Sequence, residues 1–302
     1  MDAIHLAFEF DEKPEPLEFI PLGDFHVGTN GCDEGHIKKY VDYIRRNKNT
    51  YWWGMGDFID GICYSDKRFD PNEAPDWMMV KDMKDLPLRQ AGYFLDLIAP
   101  IANKCLFILH GNHEETVARH YHNDIASHIA LSLGVPYMGY SGFVDFKFKW
   151  WPKNKDATRP TVTSRKVFVH HGWGGGRKFG GKVNKVVDFL SGFQATDYFM
   201  GHVHDTLCLK TSRLGTRTKR GKVADYDIKP GMRVSWGADE LWSQDHCFGL
   251  TGTFLKSALY AEQQGYNPSF IGAIKWTVDP FHWVGGQGGG WKALTDVGTL
   301  TL

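Results

Sequence analysis

The sequence carries no excess of charge of either sign: among 302 residues, Lys plus Arg number 35 and Asp plus Glu number 35. A chain without net charge sets up no overall field toward nucleic acid or an anionic membrane, so any such contact has to be local. It also lacks an apolar run long enough to span a membrane, and its acidic first residues contain no apolar core of a signal peptide. We therefore expect a soluble, cytoplasmic protein without a membrane partner.

Cysteine is scarce and unpatterned. The five residues are odd in number and include no Cys-x-x-Cys pair, which excludes a disulfide framework and a zinc-thiolate site and fits a reducing compartment. Aromatic residues are abundant instead, at 14% with 11 Trp, so the chain can fill a large core. The length suits one large α/β domain or two small ones. Because we find neither an internal repeat nor a linker, we expect a single domain over residues 1–302.

The chain is organised around residues 106–114, where an apolar run ends in His-Gly-Asn-His-Glu. Such a run predicts a buried strand with a polar turn at its carboxyl end, the place where open α/β sheets bind their ligands. Taken alone, the turn is equally compatible with an ordinary helix start, with Asn112 as the cap. Other stretches of the chain decide between the two interpretations.

Four further apolar runs end in the same kind of polar cluster. These clusters are Asp24 with His26, Asp57 with Asp60, His170 with His171, and His202 with His204. Histidine, aspartate and one asparagine are ligands of a hard-to-borderline metal ion. A single His after a strand is more often structural, but five strand ends with one chemistry favour a metal site. The donors are too many for one ion, and a carboxylate shared by two metals would explain their number.

The periodicity between these clusters predicts an α/β fold. Residues 34–46 place apolar side chains on one helical stripe between two strands, which predicts a βαβ unit. Residues 144–150 alternate as a half-buried antiparallel strand does. Further helices are predicted over residues 88–101, 125–133, 183–190 and 254–264, and further strands over 232–236 and 272–278. We interpret the glycine-rich tail as a poorly ordered end.

In chain order, the blocks Asp-x-His, Gly-Asp-x-x-Asp, Gly-Asn-His-Glu, His-Gly and Gly-His-x-His resemble the signature blocks of the calcineurin-like metallophosphoesterases. The resemblance spans residues 23–204, and every ligand position of the family is filled. It implies a four-layer αββα sandwich of two mixed β-sheets flanked by helices, with the site at the strand ends. The motif-bearing core would cover residues 17–205, while residues 206–302 would complete the second sheet and add a C-terminal helix and strand.

Carried over block by block, the resemblance implies a dinuclear centre. Asp24, His26 and His204 would hold one divalent metal, Asn112, His171 and His202 the other, and Asp57 would bridge them. His113 would donate a proton or contact the phosphate, with Asp60 orienting its ring. His171 is preferred over His170 as the fourth-block ligand because the family histidine commonly stands directly before Gly. Manganese is the first candidate metal, with iron, zinc and magnesium as alternatives.

Hydrolysis of a phosphate ester by two metals and a histidine also follows from general physical chemistry, independently of the resemblance. A phosphate ester is anionic and repels hydroxide, whereas two cations about 3.5–4 Å apart neutralise that charge and lower the pKa of a bound water from 15.7 to about 7. A metal-bridging hydroxide can then attack phosphorus, and a nearby imidazolium protonates the leaving alkoxide. We therefore expect a dinuclear phosphoesterase, a phosphatase or phosphodiesterase acting on phosphate mono- or diesters.

Two alternatives stay open at this stage. A nuclease of the same superfamily is favoured by a basic tract without acidic residues that could follow a phosphate backbone, although a solvated loop is the simpler interpretation for a chain of zero net charge. The tract comprises Lys210, Arg213, Arg217, Lys219, Arg220 and Lys222. The second alternative is a binding scaffold that has lost its chemistry. Such a protein would lack ligands, and none is missing from this sequence.

The sequence leaves the substrate open among mononucleotides, cyclic nucleotides, nucleic-acid ends and phosphoproteins, and it does not determine the oligomeric state. Protein Ser/Thr phosphatases of the superfamily usually continue the second block with Arg-Gly, whereas Asp60 here is followed by Gly-Ile, so that branch is disfavoured. Trp173, Trp236 and Trp242 could stack on a base or sugar, although such residues more often belong to a core or a rim.

Overall fold

The computed structural model describes residues 1–62, 66, 69–151, 159–175, 178–217, 224–230, 232–236, 239–256, 269–285 and 290–302. Within them the chain forms two compact units. The first comprises Met1–Leu209 together with Cys247–Leu302, and the second comprises Lys210–His246. The predicted metal ligands all belong to the first unit.

Strands and helices are interspersed through the first two thirds of the described chain, and strands follow. The helices are α1 (Glu34–Arg46), α2 (Leu86–Ile98), α3 (Asn112–Tyr121), α4 (Ile125–Leu133) and α5 (Phe179–Gly192). The strands are β1 (Asp2–Phe10), β2 (Leu17–Leu22), β3 (Thr50–Gly54), β4 (Cys105–Ile108), β5 (Ser141–Trp150), β6 (Thr161–His170), β7 (Asp197–Met200), β8 (Thr206–Arg217), β9 (Ala224–Lys229), β10 (Met232–Trp236), β11 (Glu240–Thr253), β12 (Gly272–Val284) and β13 (Gly290–Leu300).

Eleven of the described strands join in one mixed sheet, in the order β1-β5-β6-β7-β11-β12-β2-β3-β4, with β13 beside β12 and β8 beside β11. β2, β3 and β4 are parallel, as are β6, β7 and β11, while β12 runs antiparallel to β2. β11 pairs with β7 through residues 247–250 and with β12 through residues 252–253. It therefore connects two halves that the sequence analysis expected as separate sheets. β9 and β10 form an antiparallel pair of their own.

The parallel pairing brings the polar clusters to one edge of the sheet. β2, α1 and β3 form the predicted βαβ unit, with β2 and β3 parallel and hydrogen-bonded, so this prediction is confirmed. Because parallel strands end at the same edge, the turns that follow them lie side by side. Asp24 N donates to the main-chain oxygen of Gly56 at 2.9 Å, and Gly201 N donates to that of His170 at 3.3 Å.

The helix bounds follow from local chemistry. α1 and α4 match their predicted ranges, and the side chain of Asp33 caps α1 by accepting a main-chain N–H of the first turn. α4 ends at Gly134, which takes the left-handed conformation at φ 67 that glycine adopts without a Cβ penalty. α2 ends earlier than predicted, at Ile98, because Pro100 offers no N–H to continue the α-helix. The chain goes on as a 3-10 turn over Ala99–Lys104.

Alternate residues of the strands face different cores. In β2, Phe19 points into a central core, whereas Ile20 joins a core that contains residues of α1, α2 and α4. In β6, Val167 joins the central core, whereas Phe168 packs with residues of α5. This period of two places the described helices on the outer faces and the central core between them. The fold is a mixed α/β sheet with flanking helices, and the detail of four layers stays a prediction.

The abundant aromatic residues fill the central core. The ring of Phe19 lies edge-on to that of Phe146 with centroids 5.1 Å apart, and Trp276 lies 5.2 Å from each of them. Trp53 lies 5.6 Å from Phe199, and all these side chains are fully buried. Since each such ring buries roughly 150–250 Å², a well-packed core holds the strands that carry the polar turns.

The structure of the C-terminal part of the chain shows that the prediction of a poorly ordered tail was wrong. The glycine-rich tail, expected to be poorly ordered, contributes β13, which pairs antiparallel with β12. Val297 and Leu300 of β13 are buried, so cross-strand pairing and burial outweigh the low strand propensity of glycine. The helix predicted over residues 254–264 falls largely outside the described residues. The strands predicted over residues 144–150, 232–236 and 272–278 are confirmed.

The described cysteines are free thiols. They are Cys32, Cys105, Cys208 and Cys247, whereas Cys63 lies outside the described residues. Burial raises the pKa of both Cys32 and Cys247 to about 12, so neither thiol is a reactive thiolate near neutral pH. None of the described helices is long and apolar enough to cross a membrane.

Candidate metal centre

The structure brings the predicted metal ligands together in two groups. Ligand atoms of Asp24, His26 and His204 all lie within 4.8 Å of one another, and so do those of Asp57, His171 and His202. Asn112 joins the second group, since its Oδ1 lies 3.0 Å from His171 Nε2. The side chains come from five separate turns, which follow β2, β3, β4, β6 and β7.

Two buried carboxylates organise these groups. Asp24 Oδ1 lies 3.2 Å from His204 Nε2, and Asp24 Oδ2 accepts from the main-chain N–H of His202 at 2.9 Å. Asp57 Oδ2 lies 3.4 Å from His171 Nε2. The Asp24 carboxylate therefore reaches from a ligand of the first group to the main chain of a ligand of the second.

Two buried ring nitrogens at the centre, His26 Nδ1 and His202 Nδ1, have no hydrogen-bond partner in the part of the chain that the structure describes. In addition, His26 Nε2 and His204 Nε2 face each other at 3.1 Å. Buried polar atoms are almost always paired, and imidazole nitrogens together with carboxylate oxygens suit divalent manganese, iron or zinc. The donor set therefore fits metal ions.

The charges of the centre stabilise one another. Burial opposes the charge of Asp57, but His171 and His113 outweigh burial and hold the pKa of this carboxyl well below its usual range. Burial likewise opposes the charged form of His171, but Asp57 raises the pKa of this imidazole to about 9. For His26, burial and the neighbouring His113 and His204 place the pKa well below its usual value. Ionised Asp57 and neutral His26 are already in the forms that bind a cation, whereas His171 would release a proton when a metal binds.

Most of the ligands occupy an uncommon backbone conformation. The φ angles of Asp24, His26, Asp57, His202 and His204 lie between 50 and 68. Among the described residues other than glycine, only His122 shares this left-handed region. A residue with a Cβ adopts it rarely, and such angles cluster at functional sites, where the surrounding structure enforces them. Their concentration on the ligands supports a functional centre.

Two glycines allow the turns to approach one another. A Cβ at Gly111 would lie 2.2 Å from Asp57 N, and a Cβ at Gly56 would lie 2.7 Å from His171 Nδ1. Neither position therefore has room for a side chain. Gly56 also has φ 91, which residues with a Cβ disfavour. The glycines of the second and third sequence blocks are thus required for the placement of the ligands.

Glu114 is a residue of the centre that the sequence analysis did not assign. Its buried carboxylate accepts the main-chain N–H groups of Asp57, Phe58, Ile59 and Gly111 at 2.7–3.1 Å. It thereby holds the turn after β3 against the start of α3. Burial and the charge of Asp57 raise the pKa of Glu114 above its usual value. The available signal was its position three residues after Gly111, the spacing of a capping box.

We expect Glu114→Gln to lower the free energy of unfolding by about 3 kcal/mol or more, because an amide NH₂ would face two of the N–H donors and a hydrogen bond to a charged group contributes about 1.5–3 kcal/mol. Urea unfolding measures this change. Glu9→Gln is the matched control, since the Glu9 side chain is 56% exposed and pairs with Lys149. Equal stability of the two variants would show that these contacts do not hold the turn.

His113 stands beside the ligands in a different environment. Its ring lies edge-on to that of His26 with centroids 4.5 Å apart, and its main-chain N–H donates to Asp57 Oδ1 at 2.9 Å. His113 Nδ1 contacts the main-chain oxygen of Asp60, and the Asp60 carboxylate lies within 4.8 Å of ligand atoms of His26 and His113. Burial lowers the pKa of His113, but Asp57 and Asp60 outweigh burial and raise it. The contact that orients the ring therefore comes from the main chain of Asp60.

The adjacent histidines of the fourth block have different surroundings. His171 is fully buried, and its Nδ1 donates to the main-chain oxygen of Met55 at 2.7 Å, as a ligating histidine commonly does with its second ring nitrogen. His170 Nδ1 instead accepts from the main-chain N–H of Gly172 at 2.7 Å. Burial and the neighbouring His171 lower the pKa of His170 to about 4. The structure thus brings His171, and not His170, into the second ligand group.

Comparison with protein families identifies the chain. A family model described as calcineurin-like phosphoesterase matches residues 18–206, which is more than half of the sequence and includes every turn of the metal centre. The chain belongs to the calcineurin-like phosphoesterase family. This phosphoesterase is therefore a phosphoester-hydrolysing enzyme of a metal-dependent family, and its candidate ligands all lie inside the matched region.

Two solved structures are similar to the phosphoesterase at low sequence identity. A conserved protein from Streptococcus pneumoniae described as a predicted phosphoesterase is 10% identical, with 88% of this chain and 83% of that chain covered and a TM-score of 0.31. The calcineurin-like phosphoesterase YfkN from Bacillus subtilis is 12% identical, with 94% and 90% covered and a TM-score of 0.37. Comparison with curated proteins gave no match. The family assignment rests on the family model.

Part of the basic tract lies outside the described residues of the phosphoesterase. Lys210 and Arg213 are exposed residues of β8. The side chain of Arg217 and the whole of Lys219, Arg220 and Lys222 are not among the described parts. Of the aromatic candidates, Trp173 is 45% and Trp242 is 42% exposed, and the side chain of Trp236 is not described.

Proposed function

We propose that this phosphoesterase hydrolyses phosphate mono- or diesters at a centre of two divalent metal ions that share Asp57. The observation that supports the proposal is the pair of ligand groups, each made of one carboxylate and two imidazoles. Asp24, His26 and His204 would hold one metal, and Asn112, His171 and His202 the other. Manganese is the first candidate because the carboxylate and amide oxygens suit it, while the imidazoles keep iron and zinc as alternatives.

When bound, the two metals would supply a nucleophilic water at neutral pH and neutralise the charge of the phosphate. The chain itself supplies the placement of the ligands. Glu114 fixes the turn that carries Asp57. The main-chain oxygen of Met55 accepts a hydrogen bond from His171 Nδ1 at an N···O distance of 2.7 Å. A ligand set held in this way does not need to reorganise when the substrate arrives.

His113 is the proton donor in this proposal. Because its Nδ1 is engaged by the main-chain oxygen of Asp60, its Nε2 is the nitrogen left for the substrate. Without bound metals, the charges of Asp57 and Asp60 overcome burial and raise the pKa of His113. In the metal-loaded enzyme Asp60, which is not among the proposed ligands, would continue to favour the imidazolium. An imidazolium close to the leaving oxygen can protonate a departing alkoxide, a contribution of typically 10²–10⁴ in rate.

A substrate panel tests the proposal. The apo protein would be reconstituted with Mn, Fe, Zn or Mg in turn and assayed with p-nitrophenyl phosphate, bis-p-nitrophenyl phosphate, mononucleotides, cyclic nucleotides and nucleic-acid ends. We expect metal-dependent hydrolysis of at least one small ester, lost after chelation and restored by the metal. A folded protein that contains two metals and hydrolyses none of these esters would refute the proposed function.

Two single variants test whether His171 or His170 is the ligand of the fourth block. We expect His171→Asn to retain one metal fewer than wild type, because this side chain lies in the second ligand group. The matched variant His170→Asn should keep the full metal content, since His170 contacts Gly172 instead. Elemental analysis of both proteins after equal metal loading and dialysis measures the difference. Metal loss in the His170 variant alone would reverse the assignment.

A further inference from the structure

Trp173 is an exposed aromatic residue two positions after the candidate metal ligand His171. It follows His171 and Gly172 in the chain, and a Cβ at Gly172 would lie 2.7 Å from His202 Cβ. The main chain therefore passes against two ligands of the second group immediately before it reaches Trp173. Whereas His171 is fully buried, the Trp173 side chain is 45% exposed.

Neighbouring rings hold the Trp173 indole. Its centroid lies 5.2 Å from that of His170, with 69° between the planes, and 5.7 Å from that of Phe189 of α5. His170 is itself fixed, because its Nδ1 accepts from Gly172 N–H at 2.7 Å. A ring that is already held while part of its surface stays exposed loses little conformational freedom when a second ring stacks on it.

Two lysines of α5 contact the Trp173 segment and the neighbouring ligand turn, one lysine each. Lys185 Nζ donates to the main-chain oxygens of Trp173 and the next two residues at 2.7, 2.9 and 3.4 Å, and it lies 6.0 Å from the Trp173 ring centroid. Lys182 Nζ donates to the main-chain oxygen of Val203, between the two histidines of the fifth block, at 2.9 Å. Both the Trp173 segment and the turn that carries His202 and His204 are therefore hydrogen-bonded to α5.

Lys185 also places a positive charge at this position. Its ammonium contacts main-chain oxygens, and no acidic side chain in the described part of the chain pairs with it. Lys182, by contrast, is paired with Asp205. Because its donors are engaged by main-chain oxygens, Lys185 would act on an anionic ligand through its charge alone.

From this arrangement we infer that Trp173 determines substrate specificity by stacking on a planar group of the phosphoester, a nucleobase or another aromatic ring, while Lys185 positions the segment. The inference rests on the proposed function and narrows the substrate class to phosphoesters that carry such a ring. Stacking on an aromatic side chain discriminates little between bases because every base offers a π-face. The substrate would therefore be a nucleotide-type ester with little base preference.

A pair of esters with one leaving group tests the inference. Thymidine 5′-(p-nitrophenyl phosphate) and methyl p-nitrophenyl phosphate both release p-nitrophenolate and differ in the deoxyribose and thymine ring that replace the methyl group, so the Trp173 variants isolate the contribution of the ring. We expect the metal-loaded wild type to prefer the thymidine ester in kcat/KM. Trp173→Ala should reduce this preference about tenfold or more, mainly through KM, with the methyl ester unaffected. Trp173→Phe should retain most of the preference.

The control variant is Trp283→Ala, since Trp283 is 56% exposed and lies near the end of β12 opposite to Gly272. It should leave both esters unaffected. A second readout is calorimetric binding of thymidine monophosphate to the metal-loaded proteins, which does not depend on turnover. Trp173→Ala should weaken this binding by a similar factor.

The outcomes separate this inference from the proposed function. Equal losses on both esters in Trp173→Ala, an unchanged ratio, or equal kcat/KM for both esters in the wild type would overturn the stacking role while leaving hydrolysis intact. A wild type that hydrolyses neither ester but binds thymidine monophosphate in a Trp173-dependent manner would support the stacking site and count against the proposed chemistry. Neither hydrolysis nor binding would overturn both.

Discussion

Asp57→Asn is expected to remove at least one of two metals per chain and to lower the rate of ester hydrolysis by about three orders of magnitude or more. The buried Asp57 carboxylate lies among the second ligand group and receives the main-chain N–H of His113. An amide cannot supply the negative charge that a shared ligand needs, and the charge stabilisation provided by a metal amounts to several kcal/mol, or several powers of ten in rate. Elemental analysis and initial rates on p-nitrophenyl esters measure the two effects.

Asp197→Asn is the matched control for this prediction. Asp197 is also a fully buried aspartate, but it pairs with Arg165 through two contacts of 2.9 Å and belongs to neither ligand group. This variant should lose stability and keep its metals. Carefully loaded wild-type protein that contains one metal or none would refute the two-metal interpretation, whatever the variants show.

His113→Ala is expected to keep both metals and to lose rate by about 10²–10⁴-fold on esters with poor leaving groups. The loss should be much smaller on p-nitrophenyl esters, because p-nitrophenolate leaves without a proton. The physical basis is the position of the ring beside His26, with its Nδ1 held by the main chain of Asp60. Rates on an alkyl and a p-nitrophenyl ester, together with metal content, test both parts.

His120→Ala serves as the control, since His120 is an exposed residue of the same helix, α3. It should change neither the rate nor the metal content. If His113→Ala lost the same factor on every leaving group, His113 would not act as an acid. If the variant lost a metal, His113 would be a ligand, in keeping with the third group that its ring forms with His26 and Asp60.

Local patterns in the sequence were sufficient for much of the fold. α1 and α4 keep their predicted bounds because each segment contains a capping aspartate and an apolar stripe, and a glycine follows α4. β13, by contrast, was not predicted, because no local pattern in the sequence marks it. Its order depends on pairing with β12 and on burial of Val297 and Leu300, and these contacts are invisible in a run rich in glycine.

The role of Glu114 could not be read from the chain alone. Its carboxylate accepts N–H groups from Asp57, Phe58 and Ile59, residues more than fifty positions earlier in the sequence. A capping-box spacing predicts that such a side chain turns back on its own helix. It does not predict that the same carboxylate also holds the turn of another strand.

The sequence by itself determined the family and the identity of the candidate ligands, because each signature block is a short contiguous stretch that follows an apolar strand. Only the tertiary structure decided how those residues are grouped. His26 and His204 lie 178 positions apart, yet their Nε2 atoms are 3.1 Å from each other. The choice of His171 over His170 likewise depends on Met55 and Asn112, which belong to other turns. Such distances are set by parallel strand pairing that brings separate turns to one edge of the sheet.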